Sequence, residues 1–222
     1  MWWINVIQSW TDVCSWNHGR AVIMMSGSWS NAVSLLKNKS RFKGMKICWL
    51  FTDNEESSTV SIWVDFWIPS TVQNHGKFSS LTEREEYFHH VAETFQSQWI
   101  NLLIYAGFMR VVPWFFARQF PGINSHPADL LVKGNNWKPK YVGMPALRMA
   151  IEDGQSTICC SCCVIDTPVD TGLVISQSER IPVSRKDLEN IDIVHARLKE
   201  KEHIYYPETV SRLTRGEIIS NP

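Results

Sequence analysis

An asparagine and a histidine stand two residues apart at Asn124 and His126, inside FPGINSHPADLL at residues 120–131, and an aspartate, Asp170, closes the loop DTPVD. An amide N–H can hold a developing oxyanion, an imidazole can polarise the same carbonyl or shuttle a proton, and a carboxylate can orient and charge-stabilise that imidazole. On residue types alone Asn124 and His126 are either such a reactive pair or a polar turn broken by Pro127. Asp170 moves the balance toward chemistry at a carbonyl carbon. A second feature is SGSWSN at 26–31, whose small residues lead into a helix start. Unpaired N–H groups and the positive end of the helix dipole can hold a phosphate there, although plain helix caps look the same.

These groups matter only if the elements bring them together. RAVIMM, SGSWSN and AVSLLKNK read as a buried strand, a turn and a helix, and MKICWLFTDN as a second buried strand. FWIPSTVQN follows as a short extended segment. SLTEREEYFHHVAETFQSQW opens on a Ser/Thr cap with acidic residues in its first turn, and Tyr87, Val91, Phe95 and Trp99 fall on one helical face. His89 and His90 lie on its polar, solvated side. WINLLIYAGFM is an apolar run of the kind found in a parallel strand covered on both faces. CCSCCVI and GLVISQSERIPV read as two short strands. The last helix starts at Ser184 with Asp187 in a capping box and turns Leu188, Ile191, Val194 and Leu198 inward; Pro207 breaks or kinks it, leaving ETVSRLTRGEI as a final short helix. This alternation gives an α/β fold, a Rossmann-like mostly parallel sheet with helices on both faces. Ligands then bind beyond the carboxyl ends of the strands, which selects the loops SGSWSN, GFMR, NSHP and DTPVD.

Composition narrows the partners. The chain has 222 residues, with 22 Lys and Arg against 22 Asp and Glu. No net field recruits nucleic acid or an anionic membrane, so any anionic ligand, a small-molecule substrate included, must be held by local geometry. There is no apolar run of ~18 residues and no basic leader before an apolar segment, which points to a cytoplasmic protein with no membrane partner. Four of the six cysteines crowd into CCSCC. Side chains alternate along a strand, so Cys159 and Cys163 project one way and Cys160 and Cys162 the other; four thiolates do not converge, and the expectation is small buried hydrophobes and no metal. Several of the eleven tryptophans fall near the start. Residues 1–19 are therefore set apart as a Trp-rich N-terminal extension or packing arm, with residues 20–222 as a single domain.

Taken in order, the motifs resemble one family, the folate-dependent formyltransferases. SGSWSN is similar to the family's Ser-Gly-x-Gly-Ser-Asn turn, and AGFMR at 106–110 matches its strand end. NSHPADLL resembles Asn-x-His-Pro-x-x-Leu-Leu, VDTG at 169–172 the loop bearing its aspartate, and EHIYYP at 202–207 a segment of its last long helix. The resemblance covers roughly residues 20 to 218. It implies transfer of a formyl group from 10-formyltetrahydrofolate to the amine of glycinamide ribonucleotide in de novo purine synthesis, by a monomer or homodimer, with a nucleotide-binding N-terminal half and a folate-binding C-terminal half. By carry-over Asn124 and His126 stabilise the oxyanion, and Asp170 holds His126 and relays the proton through water. Gly27, Ser28, Trp29, Ser30 and Asn31 receive the substrate phosphate, with Glu202 on the ribonucleotide side. Met109, Arg110, Val111 and Val112 and the loop Asp166, Thr167, Pro168 and Val169 bind the folate. The sequence departs from the pattern where Trp29 replaces the turn's second glycine, where VKGNNWKP at 132–139 replaces a single proline, and where Cys163 and Leu147 replace histidines. Two residues are also missing before Asn124. These departures leave room for a different amine, such as an amino sugar nucleotide, or for a homologue that binds folate or nucleotide without catalysis.

Overall fold

Along β1 (Gly19–Met25) successive side chains enter two different cores. Ala21, Ile23 and Met25 join one and Val22 and Met24 the other. Such a strand must be covered on both faces, and the computed structural model, which describes residues 2–15, 17–27, 29–55 and 65–217, has helices on each. Its strands are β2 (Met45–Thr52), β3 (Ser70–Val72), β4 (Leu102–Tyr105), β5 (Gly122–His126), β6 (Thr157–Ile158), β7 (Ser161–Val164), β8 (Val174–Gln177) and β9 (Ile181–Pro182). Among the described residues one sheet has seven strands in the order β3-β2-β1-β4-β5-β7-β8, and β6 and β9 form a two-stranded ribbon. Pairing is parallel from β3 through to β5 and antiparallel at β5–β7 and β7–β8. The mostly parallel α/β sheet expected from the sequence is thus present.

The chain runs outward through β2 and β3 and then returns to place β4 on the other side of β1. That reversal opens a crevice at the carboxyl ends of β1 and β4, the switch point where open sheets bind ligands. The two strand ends are stitched together there: Ser26 N donates to Gly107 O at 3.0 Å and Met109 N to Ser26 Oγ at 2.8 Å.

One face carries α1 (Trp2–Ser15), α2 (Ser30–Lys37) and the long C-terminal helix, α6 (Ile191–Thr214). The other carries α3 (Leu81–Ser97) and α4 (Trp114–Gln119). The short α5 (Ala146–Glu152) packs with Val194 and Leu198 of α6 over the β6–β9 ribbon. In the α3 layer Phe51, Phe88, Phe95 and Phe116 are fully buried and meet edge to face, Phe88 and Phe116 at 5.0 Å. Each ring contributes about 1.5–3 kcal/mol by burial.

Four expectations change in detail. Within residues 1–19, set apart as an extension or packing arm, Trp2–Ser15 is a helix that buries Val6, Ile7, Trp10 and Cys14 in the core shared with β1 and α6. The capping box at Ser184 and Asp187 starts a 3-10 turn, Arg185–Asn190, before α6 proper. Pro207 does not break α6, which continues to Thr214. Proline cannot donate to the carbonyl four residues back, and that carbonyl, His203 O, instead accepts from Ser34 Oγ of α2 at 2.6 Å. Trp99 does not extend the inner face of α3; it lies past the helix end and is exposed. Ser80 does cap α3, accepting from Glu83 N.

All six cysteines are free and buried. Burial pushes the thiols up, Cys14 to about 11 and Cys159 to about 12. The thiolate is the reactive form, so at pH 8 the native protein is expected to give no rapid reaction with Ellman's reagent and to titrate all six thiols in guanidinium. Rapid reaction of any one thiol in the native state refutes this. No described helix is long and apolar enough to cross a membrane.

Candidate active site

The period of a strand decides what β5 presents. Ile123 and Ser125 face the α6 layer, while Asn124 and His126 face the opposite way, at the carboxyl end of the sheet where β5 pairs with antiparallel β7. The stretch is therefore a strand end, with Asn124 opposite Cys163 and His126 opposite Ser161. Asp170 arrives from the loop between β7 and β8. Gly172 lets that loop lie against β7, since a Cβ there would overlap the Val164 carbonyl. Asp170 has φ 57°, a conformation aspartate tolerates better than most residues.

Asp170 gathers the other two groups. Its Oδ1 accepts from Asn124 Nδ2 at 3.4 Å, and its Oδ2 accepts from Gly143 N at 2.9 Å and lies 3.2 Å from His126 Nδ1. His126 Nε2 is 2.9 Å from the carbonyl oxygen of Tyr141. A carbonyl only accepts, so Nε2 carries a hydrogen, and the ring satisfies both partners when Nδ1 is protonated as well. His126 and Asp170 are both buried, so their contact is held away from water. Tyr141 and Gly143 follow the inserted segment 132–139, a hairpin closed by Lys140 N to Val132 O at 2.9 Å and by a bridge between Lys133 and Pro139. The insertion thus ends on the backbone groups that clamp His126 and Asp170.

A narrow cleft of about 60 Å³ opens beside them, lined by Asn124 and Asp170 together with Arg110, Val111, Val112, Asp166 and Val169. Five of the eight residues expected to bind folate therefore meet two of the three expected catalytic ones. Met109, Thr167 and Pro168 lie outside the lining, as does His126, which contacts the lining residue Asp170. The Arg110 guanidinium is already engaged. It pairs with Asp53, donates to Gly76 O at 2.8 Å and lies over the rings of Phe78 and Tyr87.

On the other side of β5, Ser125 Oγ donates to Glu202 and lies 2.8 Å from Tyr205 Oη. Asn31 also bonds to Glu202, which brings the start of α2 to the same carboxylate. Asn31 Oδ1 and Ser30 Oγ are buried without a partner. Gly27 is exposed, Trp29 has φ −81° and so needs no left-handed backbone, and Ser28 lies outside the described residues. Neighbouring residues of one strand thus serve two compartments, Ser125 the α2–α6 side and Asn124 and His126 the cleft. The sequence reading missed Ser125, which strand alternation between Asn124 and His126 could have revealed. It also missed Tyr141 O and Gly143 N, for which no side-chain signal exists.

Burial raises the pKa of Glu202, and its bonds from Ser125 and Asn31 oppose that shift. A carboxyl whose folded pKa is raised favours the fold most below its unfolded value and loses that contribution as pH rises through the folded value. Glu202→Gln is therefore expected to raise the melting temperature at pH 7, with the gain shrinking toward pH 4. A lower melting temperature at pH 7 would contradict this.

A family model described as formyl transferase matches residues 19–210. The trifunctional purine biosynthetic protein adenosine-3 of Drosophila melanogaster is 27% identical over 208 residues, which cover 91% of this chain and 14% of that protein. The phosphoribosylglycinamide formyltransferase of Haemophilus influenzae is 28% identical, covering 68% of this chain and 66% of that one. The chain thus spans about one-seventh of the length of the trifunctional relatives it matches. Among solved structures, phosphoribosylglycinamide formyltransferase from Bacillus halodurans superposes with a TM-score of 0.72 at 25% identity, over 87% of this chain and 94% of that one.

Proposed function

The chain belongs to the formyl transferase family, and from that premise we propose that it transfers a formyl group from 10-formyltetrahydrofolate to the primary amine of glycinamide ribonucleotide, a step of purine synthesis. The observation that carries this reading is the convergence of Asn124, His126 and Asp170 beside the 110–112 and 166–169 segments. The amine nitrogen attacks the formyl carbon and the carbonyl becomes an oxyanion, which the Asn124 amide stabilises by donating to it. The new C–N bond leaves a proton on the amine nitrogen. Asp170 accepts it and returns it, through water, to N10 of the folate as the C–N10 bond breaks, giving the formamide and tetrahydrofolate. The His126 ring, held between Tyr141 O and Asp170, fixes the carboxylate beside the tetrahedral intermediate.

The donor's pterin lies against the 109–112 backbone and the 166–170 loop. The acceptor's phosphate lies on the 27–31 turn, with Glu202 on its ribonucleotide side. Purified protein supplied with both substrates is expected to release tetrahydrofolate with formation of the formamide. Absence of transfer in that assay rejects the reading. A second reading, transfer to a different amine such as an amino sugar nucleotide, is favoured by Trp29 on the turn and by the hairpin that ends at the clamp. A panel of amines separates the two, since a preference for glycinamide ribonucleotide ends the second.

A further inference from the structure

Among the described residues, positive φ occurs at six glycines and at five other residues: Asn17, Asp170 and the tryptophans Trp67, Trp99 and Trp137. Glycine takes that conformation freely, and asparagine and aspartate tolerate it, but for a bulky side chain it is a true outlier. A residue held in a poor backbone state ordinarily gains something through its side chain. These gain little by burial. Trp67, Trp99 and Trp137 are 83, 79 and 86% exposed, more than any other large exposed hydrophobic residue among those described.

Two of the three positions belong to recognisable glycine motifs. At the end of α3, Ile100 N bonds to Phe95 O and Trp99 N to Gln96 O, both at 2.9 Å. That is a Schellman cap, and Trp99 holds the residue past the cap, where glycine is usual. In the inserted hairpin, Trp137 N bonds to Gly134 O at 3.0 Å and Gly134 N to Lys138 O at 2.9 Å. Trp137 is the third loop residue, the left-handed position of a type I turn with a glycine bulge. Trp67 takes its φ of 56° two residues before Pro69, in another loop. Two other tryptophans are packed: Trp10 is fully buried, with its Nε1 unpartnered among the described residues, and Trp49 Nε1 donates to Thr71 Oγ1 at 2.8 Å. Trp29 joins the first group from the sequence side, standing at the second glycine of a Ser-Gly-x-Gly-Ser-Asn pattern. It is 41% exposed, at the mouth of the cavity between α2 and His203.

We infer that residues 67, 99 and 137, and with them 29, are glycine positions, filled by glycine in the cell that makes this protein. Three unrelated loops with tryptophan in a glycine conformation have one economical cause, a codon with two meanings; residue 29, with φ −81°, joins them through the sequence pattern alone. UGA is read as tryptophan in some genetic codes and as glycine in others. A gene written in the second kind and read in the first shows tryptophan where its own cell inserts glycine, while its UGG tryptophans and ordinary glycine codons stay unchanged. At 29 the consequence is functional. Glycine there removes the indole from the turn that receives the acceptor's phosphate, and this part rests on the function proposed above.

Two measurements decide it. In protein isolated from its own cells, mass spectrometry of the peptides spanning 67, 99 and 137 is expected to find glycine, each peptide lighter by the difference between an indolylmethyl group and a hydrogen. Tryptophan in these peptides overturns the inference. In recombinant protein, the triple variant Trp67→Gly, Trp99→Gly, Trp137→Gly is expected to melt several degrees above the parent, while Trp10→Gly melts below it. A triple variant that melts at or below the parent temperature also overturns it. Trp29→Gly is then expected to lower KM for glycinamide ribonucleotide with kcat little changed. Stabilisation by the triple variant with no effect of Trp29→Gly on KM would support the glycine assignment at 67, 99 and 137 and count against the acceptor reading, so the two fail separately.

Discussion

Asp170→Asn is expected to lower kcat for formyl transfer by about 10³-fold, within the range a positioned general acid–base contributes, and to leave the melting curve close to that of the parent. Asparagine keeps the volume of aspartate and tolerates the φ of 57° at this position. It also keeps an oxygen that can accept from Gly143 N, the bond that ties the loop to the end of the inserted hairpin. It loses the charge. His126 Nδ1 then faces a neutral amide instead of a carboxylate, a weaker partner for orienting the ring. The proton released by the attacking amine also loses its acceptor. Steady-state kinetics beside a thermal melt separate chemistry from folding, and a loss of less than tenfold with an unchanged melt would remove Asp170 from proton transfer.

The sheet was largely legible in the sequence because its strands are buried on both faces. Continuous apolar runs such as LLIYA and AVIMM, each ending in a small-residue turn, leave little choice of element or order. The convergence of Asn124, His126 and Asp170 was legible as a pattern of types and became a geometry through the antiparallel pairing of β5 with β7. What the sequence hid has physical reasons. Pro207 reads as a helix breaker because sequence rules see the missing N–H and not Ser34, distant in the chain, which satisfies the freed carbonyl. Trp99 reads as one more inner-face residue because period counting does not see where a helix stops. The N-terminal helix carries Val6, Ile7, Trp10 and Cys14 at helical spacing, a signal masked by the surrounding tryptophans and polar residues. The clamp on His126 and Asp170 is made by backbone atoms of Tyr141 and Gly143, which any residue types could supply.

The second large effect is expected at Asn124. Asn124→Ala removes the only side-chain amide among the described residues that line the cleft, and should cost about 10²–10³-fold in kcat, the range seen when one preorganised oxyanion donor is deleted. KM should move little, because the amide meets the oxyanion only after the nucleophile has added. The fold tolerates the change. Asn124 is only partly buried, its backbone pairing with β4 and β7 does not depend on the side chain, and its one mapped side-chain bond is the long contact to Asp170 at 3.4 Å. That contact makes the double variant informative. If Asn124 and Asp170 act as one unit, Asn124→Ala with Asp170→Asn loses little more than Asp170→Asn alone, since Asp170 orients the amide and the amide stabilises the charge whose proton Asp170 moves. Fully multiplicative losses would mean that the two residues act on separate steps, with Asn124 serving the oxyanion and Asp170 the breakdown of the intermediate.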